Sequence, residues 1–337
     1  MLVSPAKIWA KAATEVNRPA VSVIVAAFAD DRWDDTIRAI QSVGNQTLPV
    51  AEIILVIDHN PGLFSRAAEA LPGARVVENE HPRGASGARN TGVHASSSEL
   101  VAFLDDDAVA SPSWLANSVP HFAQPDVVGV GGKITPVWET SPPRWFPDEL
   151  LWVVGASYRG MPRKAAPVRN VWAGNMVVRR AAFDKADGFR VDFGKKGDRE
   201  DFQAEDTDFC LRAARAWPAG AWIYEPQAQA AHKVPVRRST WRFLITRCYH
   251  EGRNKVLLAD LVGPEGMSRE KRHVAITLPR GVLLEFGAAM RGDLYGLACC
   301  VNIDLAAAAA IAGVAITSTK HRPQRPCQPE AQRAPGR

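Results

Sequence analysis

The stretch from Leu100 to Asp107, which reads Leu-Val-Ala-Phe-Leu-Asp-Asp-Asp, constrains the fold of this chain more than any other. Its apolar residues show no polar alternation, which is typical of a strand buried on both faces of a parallel sheet. The apolar run ends abruptly in three adjacent carboxylates, Asp105, Asp106 and Asp107. Ligands of open α/β sheets bind beyond the carboxyl ends of the strands. The pattern therefore favours an α/β fold with an acidic ligand site at this strand end.

Three neighbouring carboxylates repel one another, so a fold that holds them together usually places a cation nearby. Oxygen ligands suit Mg²⁺ or Mn²⁺, and these ions commonly bring the phosphates of a substrate into a site. A solvated acidic turn after a strand is the alternative, and the three acids alone do not decide between the two interpretations.

The length of 337 residues allows one large α/β domain or two modest ones, and 46% hydrophobic residues are ordinary for a globular protein. The formal net charge is +5, but residues 320–337 hold five cations and one acid, a net of +4. The rest of the chain is therefore nearly neutral, and we expect no nucleic-acid partner. The five cysteines form neither a CxxC pair nor a zinc spacing, so no disulfide framework or zinc site is expected.

Residues 1–16 carry no apolar stretch of the signal-peptide kind, so we expect a cytoplasmic protein. A run of thirteen uncharged residues at 305–317 is too short to span a bilayer, which favours a packed helix over one lying on a membrane. Peripheral contact with the inner face of the membrane is compatible with the sequence but is not required by it. No feature of the sequence indicates an oligomeric state.

Predicted strands and helices alternate along the first third of the chain. Apolar runs predict the strands, and apolar residues at spacings of three and four predict the helices. This alternation is typical of right-handed βαβ units on a mixed, mostly parallel sheet flanked by helices. The strands are predicted at 21–28, 52–57, 74–77 and 100–107, and the helices between them at 31–45, 63–70 and 86–95.

The pattern is less regular in the second part. Residues 138–172 are rich in Trp, Pro and Arg, and so long an irregular section inside a compact protein is often functional; a packed insertion is an equal alternative. The basic segment 237–255 is interpreted as a solvated helix face, with binding of a diphosphate or of an anionic membrane as alternatives. Strands are predicted at 126–134 and 222–224, and helices at 237–255, at 268–318 and from residue 205.

These segments divide the chain into four predicted parts. A large α/β domain in two halves follows a lead-in segment, and a helical extension and a basic disordered tail follow it. The predicted ranges are 1–19 for the lead-in segment, 20–235 for the large domain with halves 20–110 and 111–235, 236–319 for the helical C-terminal region and 320–337 for the tail.

Residues 79–92 read Asn-Glu-His-Pro-Arg-Gly-Ala-Ser-Gly-Ala-Arg-Asn-Thr-Gly. The glycines and alanines allow a close approach to the backbone, and Arg83 and Arg89 fall near a predicted helix N-terminus. Backbone N–H groups and arginines in this arrangement suit a phosphate-bearing ligand.

With these motifs in order, the chain resembles the family 2 glycosyltransferases, which have the Rossmann-like GT-A fold. The matching features cover about residues 21–212. They are an apolar first strand, Asp58 after the second strand, the Arg-Gly-x-x-x-Ala-Arg-Asn-x-Gly helix entry, the Leu-Asp-Asp-Asp strand end, Ala173-Gly174-Asn175-Met176 followed by Arg179-Arg180, Asp187-Gly188-Phe189, and Glu205-Asp206-Thr207-Asp208.

The resemblance implies a UDP-, dTDP- or GDP-sugar donor, a divalent metal (Mn²⁺ or Mg²⁺) and transfer with inversion. It makes residues 20–235 the catalytic domain, with 20–110 as its nucleotide-binding half and 111–235 as its acceptor half. Within the latter, the Trp-rich residues 138–172 are a candidate acceptor region, because aromatic faces pack against sugar rings. It makes Asp58 the reader of the nucleobase and Asp206 the general base, with Glu205 beside it. Asp105 and Asp107 match the D-x-D acids that meet metal and donor, and His232 lies where many members add a histidine to the metal shell. The remaining implied residues are Phe28, Arg83, Gly84, Arg89, Asn90 and Asp106 for the donor, and Trp172, Gly174 and Asn175 for the acceptor.

The chemistry of such a transfer demands two acidic centres. A diphosphate leaving group needs a cation and basic side chains, and in-line attack by an acceptor hydroxyl needs a carboxylate on the opposite side. Asp107 and Asp206 fit this demand. Without the resemblance, Glu205 and Asp206 read as first-turn acids favoured by the helix dipole, and His232 as a core or surface histidine.

The sequence departs from the polymer-making members of the family, because it lacks a Gln-x-x-Arg-Trp motif after the predicted base and lacks predicted membrane-spanning helices. We therefore predict transfer of a single sugar to a carbohydrate, lipid-linked or small-molecule acceptor. The alternatives are a retaining glycosyltransferase, a nucleotidyltransferase on a similar sheet, and an inactive protein that binds a sugar nucleotide or a glycan.

Overall fold

A computed structural model of the protein describes residues 19–192, 204–263 and 272–320. The predicted lead-in segment and the predicted disordered tail lie outside the described residues, apart from one residue each.

The first half of the fold is a parallel sheet with helices on both faces, as the alternation of apolar runs predicted. The second helix begins where Pro61 occupies its first turn and the side chain of Asn60 accepts a hydrogen bond from the Leu63 N–H. The elements are β1 (Val21–Ala27), α1 (Trp33–Gly44), β2 (Glu52–Ile57), α2 (Pro61–Ala70), β3 (Arg75–Glu78), α3 (Ala85–Ala95) and β4 (Leu100–Asp105).

The register of the parallel strands brings their carboxyl ends together. Ala26 of β1 pairs with Asp105 of β4, and Ala27 pairs with Ile57 of β2. The residues that follow these strands therefore share one edge of the sheet, as expected for an open α/β fold.

The second half makes the sheet mixed. Within the described residues the strands follow the order β3-β2-β1-β4-β8-β6-β9-β5, and β7 pairs with β9. The strand β8 is antiparallel to both of its neighbours, β4 and β6, whereas β6 and β9 are parallel. The elements are β5 (Ala108–Ala110), α4 (Trp114–Ser118), β6 (Val127–Trp138), β7 (Ala166–Val168), β8 (Asn175–Arg179), α5 (Arg180–Lys185), α6 (Glu205–Ala216) and β9 (Ala221–Val234).

The strand predicted at 222–224 is the start of a much longer one. β9 contains 14 residues, and its pairing with β6 shifts in register between Gly132 and Lys133 of β6. Beyond Tyr224 its buried positions are held mainly by Ala228, Ala230 and His232. Small and polar residues give a weak hydrophobic pattern, which is why the sequence indicated only the aromatic beginning.

Three long helices follow β9: α7 (Trp241–Val262), α8 (Leu278–Met290), which a π-helical turn at His273–Thr277 precedes, and α9 (Tyr295–Lys320). α7 and α9 pack with their backbones close together. A Cβ atom on Gly252 would lie 2.0 Å from the carbonyl oxygen of Ala310, and one on Gly313 would lie 2.1 Å from that of Tyr249. Only glycine fits at these two positions.

The prediction that the apolar run at 305–317 is too short to span a bilayer was wrong, because this run is only part of a longer apolar stretch. α9 has 26 residues because the apolar stretch starts at Tyr295, and Tyr295–Thr319 is long and apolar enough to cross a membrane. However, Asp304 interrupts this stretch in its middle, and α9 packs against α7. The part of the chain that the structure describes contains one such helix.

Apolar clusters hold these layers together. Two of them fill the opposite faces of the sheet, and a third joins residues 146–156 to α7, α8 and α9. This third cluster attaches the C-terminal helices to the side of the sheet on which the irregular section lies.

Candidate active site

The carboxyl ends of β1, β2 and β4 form the floor of a cavity of about 410 Å³. Phe28, Asp58 and the three acids Asp105, Asp106 and Asp107 line it from the sheet side. The opposite side is lined by Glu205 and Asp206 together with residues of the irregular section and of the C-terminal helices. The sheet edge that the sequence marked as acidic is therefore the wall of a cavity.

Arg32 compensates part of the acidic charge. Its guanidinium lies 3.0 Å from Oδ1 of Asp106 and 3.1 Å from Oδ2 of Asp107. Burial, together with the neighbouring charge of Asp107, nevertheless raises the pKa of Asp106 to about 7. No sequence motif predicted Arg32, which ends the short 3₁₀ helix Asp30–Arg32 after β1.

Asp107 behaves in the opposite way. Burial disfavours its ionised form, but the hydrogen bond and charge of His232 and the charge of Arg32 outweigh burial and lower its pKa. His232 Nε2 lies 3.3 Å from Oδ1 of Asp107, because β5 and β9 pair and bring His232 opposite Ala108. His232 is thus neither a surface nor an ordinary core histidine.

A metal ion fits these side chains. Ligand atoms of Asp105, Asp107 and His232 all lie within 4.8 Å of one another. The other ring nitrogen of His232, Nδ1, is buried without a hydrogen-bond partner in the described residues. Two carboxylates and an imidazole are donors that bind divalent metals of the first transition row.

The second acidic centre lies at the N-terminus of α6. Oδ2 of Asp206 accepts a hydrogen bond of 3.2 Å from the N–H of Ala173, which fixes the carboxylate against the segment before β8. Arg89 of α3 lies between the two acidic centres. Its Nη2 is 3.0 Å from Oδ1 of Asp105, and its Nη1 is 3.9 Å from Oδ1 of Asp206. Acids that are 101 residues apart in the sequence therefore share one guanidinium.

The environment raises the pKa of Asp206 to about 7. Burial is the main cause, and the adjacent carboxylate of Glu205 adds to it, while Arg89 acts in the opposite direction. Burial also raises the pKa of Glu205. A carboxylate that exchanges its proton near neutral pH suits general acid–base chemistry.

Gly174 brings two strands of the sheet into contact at the cavity. Asn175 pairs with Leu104, so Gly174 lies beside Asp105. A Cβ atom at Gly174 would lie 2.5 Å from Oδ2 of Asp105. The glycine of the Ala-Gly-Asn-Met motif thus leaves room for an acid of the site.

Apart from Gly84, three residues predicted as donor or acceptor contacts lie outside the cavity lining. Arg83 is exposed. Asn90 binds the backbone of Phe189 through both ends of its amide, and Asn175 joins Trp114 to the backbone of Ala228. The two asparagines therefore connect elements of the fold, and no distance in the structure supports a ligand contact for them.

Asp58 and Gly84 contact each other at the edge of the cavity. Asp58 lines the cavity, but its Oδ2 accepts a hydrogen bond of 3.0 Å from the N–H of Gly84, and its Oδ1 accepts one of 2.7 Å from Asn79. Gly84 has a φ of 147°, a conformation that favours glycine, and α3 follows directly. These contacts hold the entry to α3 against the end of β2.

The interpretation of 237–255 as a solvated face was wrong for part of the segment. Arg237, Arg238 and Arg247 line the cavity, and Lys255 is buried. Burial, reinforced by the nearby positive charges of Arg32 and Arg237, lowers the pKa of Arg238. Helical periodicity alone could not reveal which side of this segment faces the sheet.

A second cavity of about 660 Å³ meets the first. Five residues line both cavities: Trp152, Trp172, Glu205, Asp206 and Arg247. Trp172, a predicted acceptor contact, therefore stands at the junction, and so do the carboxylates of α6.

Comparisons with known sequences show which proteins this chain resembles. A model described as glycosyl transferase family 2 matches residues 22–186. A glucosyl-dolichyl phosphate glucuronosyltransferase of Haloferax volcanii is 31% identical over 249 residues, which cover 73% of this chain and 79% of that protein. A pre-mycofactocin glycosyltransferase of Mycobacterium tuberculosis is 30% identical over 168 residues, 49% of this chain and 33% of that protein.

Two solved structures are similar in fold. A mannosyltransferase of Pyrobaculum calidifontis in complex with GDP-Man and Mn²⁺ aligns with a TM-score of 0.55 and 20% identity, over 94% of this chain and 93% of that one. GalNAc-T7 with UDP, GalNAc and Mn²⁺ aligns with a TM-score of 0.51 and 16% identity, over 77% of this chain and 54% of that one.

Proposed function

The chain belongs to glycosyl transferase family 2 and has the GT-A fold that its sequence predicted, and we propose that it moves one sugar from a nucleotide-sugar donor to an acceptor hydroxyl with inversion. Its activity as a glycosyltransferase follows from the family. Single transfer, inversion and dependence on a metal are our proposal, as are the roles of individual residues.

One observation carries the proposal: two acidic centres face one cavity and are joined by Arg89. One centre, Asp105 and Asp107 with His232, suits a cation and the donor diphosphate. The other, Asp206, suits removal of a proton from the acceptor. Inversion requires these two functions on opposite sides of the anomeric carbon, and a single acidic cluster would not supply both.

The metal we propose is Mn²⁺ in preference to Mg²⁺, because an imidazole nitrogen accompanies the carboxylates and Mg²⁺ prefers an octahedral shell of oxygens. Asp105, Asp107 and His232 would hold it. When bound, the metal would offset negative charge on the diphosphate of the donor. The Mn²⁺ in both structural neighbours supports this choice.

The leaving group develops negative charge, and the structure surrounds its place with arginines. Arg32, Arg238 and Arg247 line the cavity, and Arg89 lies between the acids. Guanidinium groups donate paired hydrogen bonds to phosphate oxygens. We assign Arg238 to the diphosphate, since it comes from the C-terminal region, lines the cavity and lies near Asp107 of the acidic sheet edge.

Asp206 acts as the base in this mechanism. As the acceptor oxygen forms its bond to the anomeric carbon, its proton passes to the carboxylate of Asp206, and the bond between that carbon and the phosphate oxygen breaks. The electron pair of the broken bond leaves with the nucleoside diphosphate. Glu205 acts only indirectly, because its own charge raises the pKa of Asp206 and so makes that carboxylate a stronger base.

The test is the variant Asp206→Asn, which keeps the shape of the side chain and removes its basicity. We expect turnover to fall about 10²- to 10⁴-fold while binding of the nucleotide sugar is retained. The matched control is Asp184→Asn, an acid on the surface of α5 that is far more exposed. Retained turnover in Asp206→Asn would show that another group takes the proton.

Product analysis separates the alternatives. A product with retained anomeric configuration would indicate a retaining enzyme, and release of pyrophosphate would indicate a nucleotidyltransferase. Binding of the donor without turnover by any acceptor would indicate an inactive binding protein. The separation of the acidic centres across the cavity favours inversion over these alternatives.

We also propose that the protein works on the cytoplasmic side of a membrane. Many apolar side chains of α8, α9 and the turn between them are exposed, including Leu283, Met290 and Leu294, each above 70%. Large exposed apolar patches mark interaction surfaces. We expect the full chain to co-sediment with phospholipid vesicles. Its recovery in the supernatant would contradict the proposal.

A further inference from the structure

We call the first cavity, at the carboxyl ends of β1, β2 and β4, the donor cavity, and the second one the apolar chamber. The apolar chamber is larger than the donor cavity and lies between the irregular section, α6, α7, α8 and α9. Its inner end is formed by the residues that also line the donor cavity, among them Trp152, Trp172 and Asp206. An acceptor whose hydroxyl reaches Asp206 therefore has two directions in which the rest of the molecule can extend. The donor fills the first, and the apolar chamber is the second.

The wall of the apolar chamber changes in character away from this junction. Hydroxyls and amides are few there, so the wall suits a hydrocarbon group and offers little to a carbohydrate, which needs hydrogen bonds. The apolar lining consists of Leu150, Cys248, Val274, Ala275, Leu278, Ala306, Ala307, Ala310, Ile311 and Val314.

Positive charge is concentrated where the apolar wall begins. Nη1 of Arg247 lies 3.0 Å from Oε2 of Glu251, and Nζ of Lys255 lies 3.0 Å from Oε1 of the same carboxylate. Two cations thus share one acid, and Arg169 adds a third cation to the wall. Guanidinium and ammonium groups donate charge-assisted hydrogen bonds to phosphate oxygens, so these three cations suit an anionic group between the reacting end of a ligand and its apolar part.

The outer end of the apolar chamber continues onto exposed surface. Ile311 lines the chamber and is 64% exposed, and Val274 lines it and is 51% exposed. Beyond them, α8 and α9 present further exposed apolar side chains. A chain that fills the chamber can therefore extend past its end, whereas a compact apolar group would leave this continuation without use.

We propose that the apolar chamber binds the hydrocarbon chain of a lipid-linked acceptor, with its phosphate beside Arg247 and Lys255 and its hydroxyl at Asp206. This inference rests on the proposed function, because it uses Asp206 as the base that the acceptor must reach. It narrows the acceptor from any hydroxyl compound to one that joins a hydroxyl-bearing headgroup, an anionic linker and a long apolar chain.

The test measures binding to the full chain by calorimetry, with farnesyl phosphate as the probe below the concentration at which it aggregates. We expect farnesyl phosphate to bind about tenfold more tightly than farnesol, since the linker charge is lost in the alcohol. Inorganic phosphate and 4-nitrophenyl phosphate are the comparison compounds. Equal affinity for 4-nitrophenyl phosphate would overturn the assignment to a chain, and equal affinity for inorganic phosphate would overturn any role for the apolar wall.

Two matched variants locate the binding. Ile311→Glu puts a charge into the apolar chamber, and Ile316→Glu puts the same charge on exposed surface of the same helix outside the chamber lining. We expect farnesyl phosphate to bind at least about tenfold more weakly to Ile311→Glu and with unchanged affinity to Ile316→Glu. Equal weakening in both variants would indicate adsorption on the helix surface and would overturn the proposal.

Binding of a nucleotide sugar with Mn²⁺ separates this inference from the proposed function. If the protein binds the donor but not farnesyl phosphate, the inference is overturned and the proposed glycosyl transfer still stands. A chain that binds farnesyl phosphate but not any nucleotide sugar contradicts the proposed function, although it locates the ligand of the apolar chamber.

Discussion

The donor cavity and the apolar chamber meet at the same carboxylates but are built by different means. The donor cavity lies at strand ends, where Arg32, Arg89 and the acids hold one another in ion pairs of 3.0 to 3.9 Å. The apolar chamber lies between helices and is lined largely by small apolar side chains. The donor cavity therefore holds charged groups in fixed positions, whereas the wall of the apolar chamber would exclude water around the proposed hydrocarbon chain.

The largest effect is expected for Arg89→Leu, which removes the guanidinium shared by Asp105 and Asp206. Turnover should fall at least about a hundredfold, because two carboxylates then face each other without a cation between them. Steady-state kinetics would measure this, with Arg66→Leu on exposed α2 as the control.

If the two cavities are separate in function, farnesyl phosphate should bind to Arg89→Leu with nearly the affinity of the unchanged protein. A parallel loss of that affinity would show that the donor cavity and the apolar chamber depend on one another.

The next effect is expected for Gly174→Ala, whose new methyl group would lie 2.5 Å from Oδ2 of Asp105. The carboxylate can rotate away, so the protein should fold, but a proposed metal ligand is displaced. We expect Mn²⁺ affinity to fall about 10- to 100-fold, a range typical of disturbed metal-site geometry. Titration with Mn²⁺ measures it, and Gly287→Ala on α8, where the added atom meets only the end of an arginine, is the control.

The pKa of Asp206, raised to about 7, links activity and stability with opposite signs. The base works only when ionised, so kcat/KM should rise about tenfold per pH unit below 7 and level off above it. A raised pKa in the folded state means that protonation favours folding, so this contribution to stability is lost as the pH rises through about 7. Thermal unfolding across this range should show the loss, and Asp206→Asn should reduce it.

The smallest effect concerns the attachment of the helices. Arg159 binds Asp148 and the fully buried Glu149 beside the sheet and Glu285 on α8, at 2.8 to 3.0 Å. Arg159→Gln should lower the free energy of unfolding by about 1 to 3 kcal/mol, less than for a fully buried pair because the arginine is partly exposed. Chemical unfolding measures this value.

Arg159→Gln also sharpens the comparison between the cavities. Farnesyl phosphate should bind a few-fold more weakly, since α8 forms part of the apolar chamber, and Mn²⁺-dependent donor binding should not change. Weaker donor binding in this variant would contradict the separation of the two cavities in function.

The acidic side of the site was accessible from the sequence, and the basic side was not. Buried parallel strands carry unbroken apolar runs, so the residues after them, Asp58 and Asp105, could be assigned to one sheet edge. The position of Asp206 came from its motif. Arg238 and Arg247 could not be assigned, because their placement depends on how a long helix packs against a distant part of the chain.

Motif residues also differed in what they do in the fold. Asn90 and Asn175 belong to the matching motifs, yet each bonds the backbone of a distant segment. A buried polar side chain must be satisfied, and a sequence does not reveal whether the protein or a ligand does so. The length of α9 was missed for another reason, since the prediction counted an uncharged run and stopped at Asp304.

The contact between α7 and α9 at Gly252 and Gly313 limits how substrate preference can change. Because main chain touches main chain there, rotation of side chains cannot separate the two helices, and any added side chain at these positions would force them apart. Divergence among proteins of this type would therefore proceed through exchange of the alanines between the helices, such as Ala306 and Ala310. Such exchanges would change how wide a hydrocarbon chain the chamber can accept and would leave the distance between the two helices unaltered.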